Sequence, residues 1–131
     1  MKVIFACVHN AGRSQMAAAF FNSLAHTKDV QGISAGTQPG ERVHPEVVQV
    51  MKEINIDLST AKPQLLTDEL ARSADLLVTM GCGEACPYVQ GLQRLDWPLE
   101  DPKGKPPEKV RQIRDDIKKK VENLIEELDV K

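Results

Sequence analysis

Cys7, Arg13 and Ser14 stand at a spacing that could do nucleophilic chemistry on an anion. The segment Cys7-Val8-His9-Asn10-Ala11-Gly12-Arg13-Ser14 follows an apolar run, Val3 to Ala6, and precedes an alanine-rich stretch with helical periodicity. A loop joining a strand to a helix start offers unpaired backbone N–H groups and the positive end of the helix dipole, and together these attract phosphate-like ions. Asn10 and Gly12 tolerate the backbone angles that turn successive N–H groups inward. Arg13 supplies a planar fork able to grip two oxygens of one ion. Five intervening residues let the loop wrap a tetrahedral ion and bring Arg13 back over it. The same field favours a Cys7 thiolate, to which Ser14 can donate its hydroxyl. Cys7 is thus the expected nucleophile, and Val8, His9, Asn10, Ala11, Gly12, Arg13 and Ser14 form the expected oxyanion site. The side chain of His9 reads as exposed rather than catalytic. The plainer alternative for the whole segment is a buried cysteine ending a strand beside a surface arginine.

Displacement at such an ion needs a proton donor. Asp101, held in a turn by Pro102, is the first candidate, with Asp96 and Glu100 as alternatives. An ordinary Asp-Pro turn is the simpler reading. Two further thiols, Cys82 and Cys86, lie three residues apart in a loop containing Gly81, Gly83 and Pro87. A disulfide needs Cα atoms about 5–6 Å apart, which this spacing permits. Glycines on either side would let Cys82 swing between partners. Inert packing, or zinc shared with Cys7 or His9, are other uses for the pair, although no second tight ligand pair exists to complete a zinc site. His26 and His44 read as structural.

These residues need a frame. Apolar runs predict strands over Lys2–Val8, Val30–Ala35 (stopped by Gly36), Asp75–Met80 and Gln93–Trp97. Helices are expected over Ser14–Ala25, with Met16, Ala19, Phe20 and Leu24 on one face, and over Pro45–Ile54. A short helix capped by Thr67 runs to Arg72, and a long one opens at Pro106-Pro107 and ends near Leu128. Strands apolar on both faces, alternating with helices, predict an α/β fold: an open, mainly four-stranded parallel sheet with helices on both faces, in one domain over residues 1–131. Such sheets bind ligands at the carboxyl ends of their strands. Cys7, Cys82 and Asp101 all fall there.

A chain of 131 residues is one domain that can bury roughly two-thirds of its unfolded surface, so it needs no disulfide staple. A net charge of −2 argues against nucleic acid or anionic membrane as a partner. No apolar stretch is long enough to span a bilayer, and the first one is too short for a signal peptide. Three cysteines are an odd number, unlike a secreted disulfide framework. Reduced cytoplasmic thiols are the expectation, with no metal and no cofactor.

The stretches VIFACVHNAGRSQMAA (Val3–Ala18), ISAGT (Ile33–Thr37), VTMGCGEACP (Val78–Pro87) and DWPLEDPKG (Asp96–Gly104) together resemble the arsenate reductases of the low-molecular-weight tyrosine phosphatase fold. The resemblance covers nearly the whole chain. It implies that arsenate, with phosphate or sulfate as analogues, is held by the loop and Arg13, attacked by Cys7, and served by Asp101. It further implies a relay in which Cys82 attacks Cys7, Cys86 then attacks Cys82, and thioredoxin reduces the final disulfide. The three-residue gap between Cys82 and Cys86 is shorter than in some thioredoxin-coupled members and matches a subgroup found among relatives of mycothiol-using enzymes. A low-molecular-weight thiol with its own redoxin is therefore the second choice of reductant. Some members bind potassium beside the loop asparagine. Here Ala18 stands where a ligating Glu would be, so no potassium site is expected, and the Lys62 ammonium is expected to take the cation's place near Asn10. A tyrosine phosphatase is the competing enzyme, but Lys103-Gly104 follow Asp101-Pro102 where such phosphatases carry an aromatic pair. An oxyanion-binding or redox-sensing module without turnover is a third reading.

Overall fold

The structure, a computed structural model, describes residues 1–25, 29–81 and 89–128. Strand β1 (Lys2–Cys7) is buried from Val3 onward and lies inside the sheet. It pairs in parallel with β2 (Gln31–Gly36) on one side and with β3 (Leu76–Thr79) on the other. Strand β4 (Gln93–Asp96) completes the order β2-β1-β3-β4, all parallel. The four-stranded α/β architecture expected from the sequence is the one found. Successive elements run outward in opposite directions from β1, so β1 and β3 flank the point where strand order reverses. Crevices form at that point in open sheets.

Alternate residues of β1 serve opposite faces. Val3, Phe5 and Cys7 join a large core with helices α1 (Arg13–Leu24), α2 (Pro45–Lys52) and α4 (Pro107–Leu128). Ile4 and Ala6 pack on the other side with Leu66, Leu77 and Ala71, the last from the short helix α3 (Asp68–Arg72). Thr67 caps α3 as expected, its hydroxyl accepting the Leu70 N–H at 3.0 Å.

Four details differ from the sequence reading. Gly36 does not stop β2; it is its last residue, opposite Cys7. Strand β4 is not apolar on both faces: Gln93, Arg94 and Asp96 are exposed, as suits a sheet edge. The burial of α1 extends beyond one stripe, with Gln15, Ala17 and Phe21 buried while Ala19 and Leu24 are only partly covered. The helix sits between the sheet, α4 and the loop before it, so several sides are covered. Arg114 lies within the apolar stripe of α4, buried, because it bonds the Val50 carbonyl at 2.8 Å and Glu53 at 3.0 Å across to α2. The Arg111 hydrogen bond, with Arg114 beside it, holds the Glu53 carboxyl below the usual range.

Helix α2 ends through Asn55, whose φ is +66°. The Ile56 N–H reaches the Met51 carbonyl and the Asn55 N–H reaches that of Lys52, the paired bonds of a Schellman ending. Since the left-handed region penalises a Cβ-bearing residue without a polar side chain, Asn55→Ala should lose about 1 kcal/mol relative to Asn55→Gly. Urea denaturation of the two variants measures the difference.

Candidate active site

Cys7 ends β1 and is buried. Beyond it the chain turns through residues 8–12 into α1. The outward bonding of this turn is what makes it a site. The carbonyls of Cys7, Val8, His9 and Ala11 accept the N–H groups of Thr37, Gln38, Gly40 and His44 at 3.3, 2.8, 2.9 and 2.9 Å. Among the described residues, no protein acceptor takes the backbone N–H of His9, Asn10, Ala11, Gly12, Arg13 or Ser14. A loop with spent carbonyls and unspent donors is a nest for an anion. Gly36 permits the close packing: a Cβ there would meet the Val8 carbonyl oxygen at 2.7 Å and the Asn10 nitrogen at 2.9 Å.

Asn10 is the loop residue in the left-handed region, at φ +50°, and it is fully buried. Gly12, which tolerates such angles too, does not use them: its φ is −146°. It is small for another reason: a Cβ would lie 2.9 Å from Pro102 Cγ, next to Asp101.

The Asn10 side chain fixes the direction of a proton. The Gln64 backbone N–H can only donate, and it meets Asn10 Oδ1 at 2.9 Å. Asn10 Nδ2 therefore faces Ser14 Oγ, at 2.7 Å. Ser14 accepts that bond and keeps its own proton for Cys7 Sγ, 2.9 Å away. Ser14 thus reaches the sulfur through a chain that includes Asn10 and Gln64.

Arg13 opens α1 with its side chain tethered at both ends of the fork. Nη1 donates to the Leu99 carbonyl at 3.0 Å, and Nη2 lies 3.9 Å from Asp101 Oδ2. Gly81, at φ +93°, leaves room for the guanidinium; a Cβ there would lie 2.6 Å from Nη1. Of the three candidate acids, Asp96 accepts the Thr79 hydroxyl at 2.8 Å and Glu100 pairs with Lys105 and Lys109. Asp101 is the one brought to Arg13. Its Oδ1 accepts the Lys103 N–H at 3.0 Å, so the turn holds one oxygen and leaves Oδ2 toward the site.

Other expectations are redistributed. His9 is partly buried rather than exposed, and its Nδ1 donates to the Gln38 carbonyl at 3.0 Å, bracing the loop from outside. The side chain of Lys62 is exposed and makes no contact with Asn10 among the described residues. Gln15 makes that contact instead, and Lys62 contributes only its carbonyl oxygen. Cys82, Cys86 and His26 lie outside the described residues. Gly81, which precedes Cys82, is the residue packed on Arg13. Among the described residues no group of three His, Cys, Asp or Glu is placed to hold a metal ion. No helix among them is long and apolar enough to cross a membrane.

Gln15 and Gln64 carry no sign of a role in the sequence, and Gly36, Gly81 and His44 carry none at this site. His44 precedes α2, and its ring faces Gly12. Burial lowers its pKa below the ordinary 6.5, against the opposing pull of Glu46 and Asp101.

Fold and site together define a class: an open parallel α/β protein whose inner strand ends in a buried thiol at a loop that turns into a helix begun by arginine. Comparison with known proteins narrows this. The chain belongs to the low molecular weight phosphotyrosine protein phosphatase family, whose pattern matches residues 2–131. It is 43% identical over 128 residues to a candidate arsenate reductase of Halobacterium salinarum, covering 94% of this chain and 89% of that one. A glutaredoxin arsenate reductase of Synechocystis is 37% identical over 127 residues, covering 95% of each chain. Among solved structures, the thioredoxin-dependent arsenate reductase of Corynebacterium glutamicum superposes with a TM-score of 0.84 at 38% identity, over 98% of this chain. This chain spans 61% of that protein's length.

Two outcomes follow. Gly81→Ala should displace Arg13 and weaken phosphate binding about tenfold, the scale of one charged hydrogen bond, with the circular dichroism spectrum retained. Isothermal titration reads the affinity. For His44 the folded pKa lies below the unfolded one, so the native state takes up fewer protons as pH falls and stability falls with it. The decline starts near 6.5 and levels off below the lowered value. His44→Gln should therefore flatten the urea-stability curve between about pH 7 and pH 5.

Proposed function

We propose that the protein reduces arsenate to arsenite by a three-thiol relay. The observation that carries the first step is the Cys7 sulfur under a loop of unspent N–H groups, with Ser14 donating to it and Arg13 joined to the Asp101 turn. Arsenate binds with its oxygens on the N–H groups of Val8 to Ser14 and on the Arg13 fork. Cys7 Sγ attacks arsenic, an oxygen departs, and Asp101 supplies the proton that releases it as water. The product is a Cys7–S–As(V) adduct.

The second step separates reduction from hydrolysis. Cys82 Sγ attacks Cys7 Sγ, the S–As electron pair passes to arsenic, and arsenite leaves as As(III) while a Cys7–Cys82 disulfide forms. Cys86 then attacks Cys82, releasing the Cys7 thiolate and leaving a Cys82–Cys86 disulfide. A dithiol reductant of the thioredoxin type takes over that bond. Phosphorus(V) accepts no such electron pair, so a phosphatase has no use for the two later thiols. The names of the relatives support the arsenate reading, although one couples to glutaredoxin and another to thioredoxin. The relay needs a reducing compartment, which the cytoplasm provides.

The family's phosphatase chemistry is the second reading, since it shares the first step. Lys103-Gly104 follow Asp101-Pro102 where an aryl ester would call for an aromatic pair, which favours the reductase.

The deciding assay is arsenate-dependent NADPH consumption with thioredoxin and its reductase. Cys7→Ser, Cys82→Ser and Cys86→Ser should each abolish turnover. Full turnover by Cys86→Ser with thioredoxin as sole reductant would overturn the relay. Strong aryl phosphate hydrolysis undiminished by Cys82→Ser would establish the phosphatase instead.

A further inference from the structure

The turn that carries Asp101 is held by more than its own bonds. Within it, the Lys103 N–H reaches Asp101 Oδ1 at 3.0 Å and the Lys105 N–H reaches the Pro102 carbonyl at 3.1 Å. Outside it, contacts fall on the first turn of α2 and on the anion loop. The Gly104 N–H points to Glu46 Oε2 at 3.4 Å. Pro102 sits on Gly12, where a Cβ would lie 2.9 Å from Pro102 Cγ and 3.5 Å from His44 Cδ2. The His44 ring and the Pro102 ring thus flank one point above Gly12. The His44 backbone is tied there too. Its N–H donates to the Ala11 carbonyl at 2.9 Å, and its own carbonyl accepts the Val47 and Val48 N–H groups of α2. One residue therefore bonds the loop, starts the helix and lays its ring beside the proline that follows the acid.

We propose that His44 is a positioning residue for Asp101: its ring is the stop against which Pro102 seats on Gly12, and this sets the carboxyl beside Arg13. The rest of the hold is loose. The Asp101 side chain is 46% exposed, its Oδ2 lies 3.9 Å from Arg13 Nη2, and the Glu46 bond is long. A carboxyl this open has many orientations, and a proton donor serves only within reach of the departing oxygen. An uncharged ring suits the task. Burial lowers the His44 pKa against the pull of Glu46 and Asp101, with Lys103 and His9 adding to the lowering. An imidazolium beside Asp101 would instead favour the carboxylate, which has no proton to give.

The proposal rests on reading Cys7 and Asp101 as the attacking and proton-donating pair, but not on arsenate as substrate or on the later thiols. Inorganic phosphate therefore suffices as the probe. Cys7 Sγ displaces one phosphate oxygen, which takes the Asp101 proton and leaves as water. A solvent water then attacks phosphorus, returns a proton to Asp101 and frees the thiolate. Each cycle replaces one oxygen without a change in oxidation state. The full chain is incubated with heavy-oxygen-labelled phosphate, loss of label is followed by mass spectrometry, and phosphate affinity is measured by titration calorimetry. His44→Ala should slow exchange at saturating phosphate about tenfold, part of the roughly 10²- to 10⁴-fold that a placed proton donor contributes. Affinity should stay at the parental value, the pattern of a group that acts only in the reacting state. In an Asp101→Asn background the same substitution should cost nothing, because residues that act through one another are not additive. His44→Gln keeps a polar group without the ring; it should match His44→Ala and carries the test if that variant does not fold. Exchange at the parental rate in both variants would overturn the proposal alone. So would a loss that persists in the Asp101→Asn background, or one seen in affinity rather than rate, since either marks a residue that shapes the loop and not the acid. A parent that binds phosphate without exchanging its oxygens would remove the Cys7–Asp101 reading and the proposal with it.

Discussion

A backbone amide can give its hydrogen once, and among the described residues no protein acceptor has taken those of residues 9–14. Peptide groups ordinarily find partners on both sides when they are buried. Here the carbonyl side of the loop is satisfied by the segment from Thr37 to His44, which runs alongside it, and the N–H side is left for a ligand. This one-sided pairing ties the loop to its neighbour along four carbonyls and so holds its shape. It depends on two contacts that have nothing to do with chemistry. The β1–β2 register sets Cys7 beside Gly36, and Gly36 lacks the side chain that would strike the Val8 carbonyl and Asn10.

The other wall of the site follows from the opposite half of the sheet. Strand β3 lies against β1, and Thr79 is aligned with Asp96 of β4. The Thr79 hydroxyl and carbonyl hold Asp96 and the Trp97 N–H at 2.8 Å each. That staple sets where the following segment leaves the sheet. Leu99 can then accept from Arg13, Pro102 can seat on Gly12, and Asp101 falls beside the guanidinium. Which carboxylate meets Arg13 is thus selected by register: Asp96 is consumed by the staple and Glu100 by lysines on the surface.

The shared first step explains how one family can contain both a phosphatase and reductases. Holding a tetrahedral oxyanion, attacking it with a thiolate and protonating the departing oxygen are the same tasks for phosphorus and arsenic. Divergence needs no change in the loop. It needs a second thiol near the first, and an element whose oxidation state can fall by two when its bond to sulfur breaks.

Much of this was legible in the chain itself. Apolar runs of four to six residues alternating with helical stripes demanded a parallel sheet, since strands covered on both faces have few other homes. The strand-to-helix junction that carries Cys7, Arg13 and Ser14 was legible too, because local residue types are enough to set it. Long-range partners were not legible. Nothing in the sequence distinguishes Gln15 from a surface glutamine or Gly36 from a strand terminator, and the preference for Asp101 over Asp96 and Glu100 rested on the Pro102 turn, not on any sign of a contact with Arg13. Lys62 was expected beside Asn10, yet it is exposed, and the Gln15 amide on α1 is what meets Asn10 Oδ1. Local rules act through neighbours along the chain and can be read in one dimension. Proton direction, close approach and the choice among similar acids depend on which distant segments are packed together, and that is decided by sheet order and register.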